Sequence, residues 1–135
     1  MVRIIAAVAG GALLWIGLEG LLHLAAISLW PDYAAAAPTR NFDLSMLIAR
    51  LVSGALVTLI VGAVVARIDG SYNKAVRIFA ALLLVVAVAH HLQPSVWNGY
   101  PLWYHLVFWA YLVPLTLLGG RLVGARVISA LGVSV

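Results

Sequence analysis

"IIAAVAGGALLWIGLEGLLHLAAISLW", residues 4–30, is broken only by Glu19 and His23 and stops at Pro31-Asp32. At about 1.5 Å rise per residue a helix over this stretch is roughly 40 Å long, so it crosses the roughly 30 Å hydrocarbon core of a bilayer with tilt or protrusion. A cleaved signal peptide is the competing reading, with Arg3 as its basic flank and Ala34 to Ala37 as a small-residue cleavage region, but the run is too long for a signal-peptide core. The stretch reads as a first transmembrane helix.

Composition extends that reading to the rest of the chain. Of 135 residues 65% are hydrophobic and 9% charged, against the roughly 25% charged residues of soluble domains. Such a surface is not wettable, whereas apolar helices in lipid satisfy their own backbone polar groups. Three further spans follow at 44–66, 75–92 and 102–123, the last with Pro114 inside it as a kink. They are separated by an outer loop at 31–43, an inner turn at 67–74 broken by Gly70, and an outer loop at 93–101, leaving a tail at 124–135. Asn41 or Asp43 is placed to cap the second span. The expectation is one membrane domain over 1–135, an all-α, four-helix, up-down-up-down bundle.

Basic residues set its orientation. Arg3, Arg67, Lys74, Arg77, Arg121 and Arg126 fall on one side and only Arg40 clearly on the other, which puts both termini in the cytoplasm. The net charge of +4 therefore reads as topology signals, with the bilayer rather than nucleic acid as the partner. The absence of cysteine excludes disulfides, thiolate metal sites and c-type haem attachment. Size and compactness suggest a bacterial inner membrane.

Each span has a basic residue at its cytoplasmic end, so depth can be counted along it. Glu19, Arg50 and His105 fall near 24 Å, His91 and His90 near 20 Å and His23 near 30 Å, at about 1.5 Å per residue. One polar layer in the outer leaflet results. Trp15, Glu19, His23 and, one step round, Ala26 and Trp30 make a stripe on the first helix; Arg50, Gly54, Thr58 and Gly62, with Ser53 beside them, make a small, polar stripe on the second, suited to close packing. His105, Trp109 and Thr116 lie near one face of the fourth. Because neighbouring residues point about 100° apart, only one of His90 and His91 can face the same centre.

The layer predicts an ion pair between Glu19 and Arg50, since a lone charge at that depth costs several kilocalories per mole. It is either a clamp fixing register or part of a site. Glu19 and His23, with His91 and His105, could also ligate a metal, and opposed imidazoles could hold a haem. Small four-helix exporters use one carboxylate in the first span as a proton and substrate switch, and Glu19 stands where such a residue would. No Gly-x-Ser-x-Gly elbow or glycine-rich phosphate loop occurs, and Ser28, Ser53 and Ser95 are scattered.

With no complete catalytic set, the first reading is an accessory, assembly or ligand-binding subunit of a membrane system rather than an enzyme, working with a protein partner or as a homo-oligomer. Its candidate site residues are Glu19, His23, Arg50, His90, His91, His105, Trp15 and Trp109. A metal- or haem-binding redox protein is the alternative and a small proton-coupled transporter the second. Trp30, Trp97 and Trp103 read as an interfacial aromatic belt.

Overall fold

The computed structural model describes residues 1–70 and 74–130, those from 124 onward as backbone only. All regular structure among them is helical: α1 (Val2–Leu29), α2 (Pro31–Ala36), α3 (Leu44–Asp69), α4 (Lys74–His91), α5 (Pro94–Trp97) and α6 (Leu102–Ala130). Four helices are long and apolar enough to cross a membrane: α1, α3, α4 and the Leu102–Val123 part of α6. α3 packs most extensively on α6 and next on α1, while α4 fills the angle between α1 and α6.

The helix ends follow from local chemistry. Proline disfavours helical backbone in the residue before it, so Trp30 is extended at φ −127°, ψ 96° and α1 stops there. Pro31 then fits the first turn of α2, where its missing N–H costs nothing. Asp43 caps α3 by accepting from the Met46 amide at 2.9 Å and from the Ser45 hydroxyl at 2.7 Å. Those bonds, the Ser45 one foremost, hold the Asp43 carboxyl below its usual range. Gly70, at φ 71°, closes α3 in the left-handed conformation that glycine adopts without strain.

The core runs along α3 and α6. Val61, Val65, Phe79 and Leu112 are buried, together with Thr58 and Thr116. A Cβ on Gly62 would run into the Thr116 backbone, and one on Gly119 into the backbones of Leu59 and Ala63. The two helices thus approach backbone to backbone, as small residues allow in lipid. α1 is the outer member: only Ala7 and Gly11 are buried in it, and Leu13, Ile16, Leu21 and Leu24 are exposed. Large apolar side chains facing outward are what a helix in hydrocarbon carries.

Several expected boundaries move. Each segment read as an outer loop, 31–43 and 93–101, contains a short helix begun by proline. α6 runs through Pro114 and on to Ala130, where a tail from 124 was expected. Residues 71–73 of the expected inner turn, the side chain of Arg126 and residues 131–135 lie outside the described residues.

Candidate functional site

Arg50 is the hub of the polar layer. From near the start of α3 its Nη1 donates to the Tyr33 hydroxyl on α2 and to His23 Nδ1 on α1 at 3.3 Å, and its Nε donates to the Tyr104 hydroxyl on α6 at 3.4 Å. A guanidinium has only donors, so His23 Nδ1 must be an acceptor, its single lone pair shared between Nη1 and the Tyr33 hydroxyl 3.0 Å away. The Arg50 Cζ lies 5.2 Å from the Phe42 ring centre and 5.7 Å from that of Tyr100, within cation–π range. Every one of these partners is neutral. Nη2, with two of the five N–H groups, makes no hydrogen bond among the described residues.

The expected Glu19–Arg50 ion pair does not form. No salt bridge occurs among the described residues, and Glu19 Oε1 is buried without a hydrogen-bond partner. The two side chains diverge: Arg50 is drawn toward α2 by Tyr33 and His23, whereas Glu19 Oε1 turns toward Gly54, 3.4 Å from where a Cβ would stand. The Tyr111 hydroxyl crowds the same spot from α6, also buried and unpartnered. Two tyrosines and an imidazole have taken the place of the carboxylate.

The histidines on the other side form a second unit. His91 is buried and His90 exposed, yet both border the same cavities, which only one of them was expected to face. His91 Nδ1 lies 2.8 Å from His105 Nδ1, and His105 Nε2 lies 3.3 Å from the Trp97 carbonyl, freed for this contact because α5 ends there. Aromatic faces hold both rings: Trp97 stacks on His105 at 4.8 Å and Phe108 on His91 at 4.6 Å. Trp97 therefore does more than float at an interface. Trp109 sits 6.1 Å from each of these two imidazoles, its indole nitrogen buried and unpartnered, while Trp15 donates to the Thr58 hydroxyl at 3.2 Å.

Three adjoining cavities, which share lining residues, surround these groups. A chamber of about 440 Å³ is bounded by Trp15, Glu19, His23, Arg50, His91 and Tyr104. It shares His23, Arg50, His90, His91 and Tyr104 with a vestibule of about 310 Å³ that adds Arg40, Phe42 and Tyr100. It shares Trp15, His90, His91 and Phe108 with an apolar cleft of about 310 Å³ between α1 and α4, lined by Ile16, Leu82 and Val86 among others. The vestibule thus holds two guanidiniums and three imidazoles and no carboxylate. Arg40 reaches it from a left-handed backbone at φ 55°, and its Nη1 donates to the Ser95 carbonyl, tying the segment before α3 to α5.

The metal set read from sequence is divided. His23 is engaged by Arg50 and Tyr33, His91 and His105 face each other, and no group of three or more His, Cys, Asp or Glu among the described residues is arranged to hold a metal ion. The 2.8 Å contact also leaves no room for a haem between His91 and His105. Sequence reasoning missed Tyr33, Arg40, Tyr104 and Tyr111. Tyr104, beside His105 and level with Arg50, carried a signal; Tyr33 and Arg40 lay in a segment read as a connection.

What fold and site define together is an all-helical chain with four helices able to cross a membrane, the make-up of a small polytopic membrane protein, with a polar chamber among its helices. Compared with protein-family models, with curated proteins and with solved structures, the chain matches none.

Proposed function

We propose that this protein is a membrane-embedded binding subunit that holds the anionic head group of an amphipathic membrane molecule against Arg50 and Arg40. The carrying observation is the vestibule, with its two guanidiniums and no carboxylate in its lining, beside a chamber that shares lining residues with it and with an apolar cleft. A cation in hydrocarbon surroundings calls for a counter-charge, and Arg50 finds only neutral partners among the described residues. Its unengaged Nη2 fits one oxygen of a phosphate or carboxylate, with geometry a lysine would lack. The cleft lets the ligand's chain stay among apolar side chains while its head reaches the arginines.

The bundle is up-down-up-down, with termini inside and the site in the outer leaflet. Trp15 with Thr58, Glu19 with Gly54 and His23 with Arg50 pair rising numbers on α1 with falling ones on α3. Arg50 with Tyr104 and Gly62 with Thr116 share a 54-residue offset between α3 and α6. The distribution of basic residues supports the sidedness. Such a subunit works beside a protein partner or another copy of itself.

The test is titration of delipidated protein with vesicles of phosphatidylmethanol, which is anionic, or phosphatidylcholine, which is zwitterionic. Native mass spectrometry should show selective retention of the anionic lipid, falling more than tenfold when both Arg40→Gln and Arg50→Gln are introduced. Equal retention of the two lipids by the parent protein overturns the reading.

A second reading, a small proton-coupled transporter, draws on the unpartnered Glu19 Oε1 at the chamber wall. Proton-driven flux in proteoliposomes that disappears with Glu19→Gln would favour it over the binding subunit.

A further inference from the structure

We infer that His91 Nε2 is the hydrogen-bond acceptor of this site, so that the bound lipid carries a free hydroxyl on the head group that bears its anion. The inference rests on the binding function proposed above and adds the chemistry of the head. It comes from the chain of contacts behind His91.

The Trp97 carbonyl can only accept, so the His105 nitrogen facing it, Nε2, must carry a hydrogen. A neutral imidazole has one N–H, which leaves His105 Nδ1 as a lone pair. The 2.8 Å approach of the two Nδ1 atoms needs one hydrogen between them, and His91 must supply it. Two neutral rings satisfy both contacts in this way alone. His91 Nε2 is then bare, and no hydrogen bond engages it among the described residues. His91 borders all three cavities, including the vestibule that contains Arg50.

The fixed tautomer makes the site bipolar. Arg50 offers only donors and His91 Nε2 only an acceptor, so a head group that is anionic and nothing more leaves His91 unmatched. An acceptor that a ligand covers without placing a donor opposite it weakens binding, and a hydroxyl on the ligand removes that penalty. Stacking by Trp97 on His105 and by Phe108 on His91 fixes the planes of the two rings. A phosphate ester with a hydroxyl-bearing substituent meets both demands. The adjoining cleft points to a lipid rather than a soluble ester, because its α1 and α4 lining is apolar.

The experiment compares three probes on the delipidated full chain: phosphatidylglycerol, phosphatidylmethanol with the same charge and no hydroxyl, and soluble glycerol phosphate. Phosphatidylglycerol should bind about three- to tenfold more tightly than phosphatidylmethanol, the worth of one hydrogen bond. His91→Phe, which keeps a ring for Phe108 to stack on, should erase that preference, so that the two lipids bind alike. Glycerol phosphate should compete only weakly. Equal binding of the two lipids by the parent protein overturns the hydroxyl inference alone, and binding of neither overturns the anion-binding function beneath it. Glycerol phosphate competing as well as the lipid overturns the lipid source. Should His91→Phe fail to fold, ¹⁵N shifts of the histidine rings in the parent protein decide: a bare His91 Nε2 and a protonated His105 Nε2 are expected, and a protonated His91 Nε2 overturns the inference.

Discussion

The Trp15 indole donates to the Thr58 hydroxyl at 3.2 Å, and this bond is the first rung of a ladder between α1 and α3. One turn on, Glu19 stands against Gly54; another turn on, His23 meets Arg50. The rungs fix which residues share a level, and they separate the acid from the base by a full turn.

Glu19→Gln should therefore change stability by less than about 1 kcal/mol, because no ion pair is lost. Breaking a buried pair by removing one partner costs about 3–5 kcal/mol. Unfolding in mixed micelles measures the difference. A loss at the upper figure would mean that Glu19 and Arg50 are paired in the membrane.

The ladder also explains what the sequence made legible. Counting residues from the basic helix ends put Glu19 and Arg50 at one depth, and the ladder corrects this by one turn, with Arg50 level with His23. The relative offset of two helices is set by packing, whereas rise per residue is a constant of the helix. The Gly54, Thr58 and Gly62 stripe was readable for the same reason, and all three are buried. Partner choice was not readable. Arg50 has a carboxylate and three hydroxyl or imidazole groups within reach of its layer, and which of them it takes depends on where Pro31 turns the chain and how α2 presents Tyr33. Helix periodicity carries no information about a six-residue helix between two spans.

Arg50→Met separates binding from folding. The substitution gives up three hydrogen bonds to neutral groups, each worth about 0.6 kcal/mol on average between membrane helices. It also removes a buried charge that makes no salt bridge among the described residues, and replacing even a buried ion pair by apolar groups is often neutral or stabilising by about 1–4 kcal/mol. The variant should be about as stable as the parent and should lose anionic-lipid retention more than tenfold. Chemical unfolding and native mass spectrometry of one preparation give both readouts; a variant that folds and still retains the lipid removes Arg50 from the site.

Asp43 gives a pH dependence outside the membrane-spanning segments. Its carboxyl is held below the ordinary value of 3.8 by the Ser45 hydroxyl and the Met46 amide. A depressed folded value means the cap's contribution is complete above the ordinary value and is lost as pH falls through the folded one. Amide exchange at Met46 and Leu47 should quicken in acid below pH 3.8 in the parent. In Asp43→Asn, which caps without titrating, the exchange should carry no such step beyond the intrinsic pH dependence.

Glycine substitutions test whether α3 and α6 meet backbone to backbone. In Gly62→Ala the added methyl meets the Thr116 carbonyl and Cα, which no rotamer change can move aside. Overpacking of this kind costs about 1–3 kcal/mol, and the strain should push α3 and α6 apart at the level of Gly62 and Thr116. Gly17→Ala is the control, since nothing lies within 4 Å of the new methyl and the residue faces outward on α1. There alanine should gain about 1 kcal/mol of helix propensity with no clash. A Gly62→Ala protein as stable as the Gly17→Ala one would mean that the helices stand further apart. Thr116 would then have space at its backbone, and the tight α3–α6 seam beneath the polar layer would not exist.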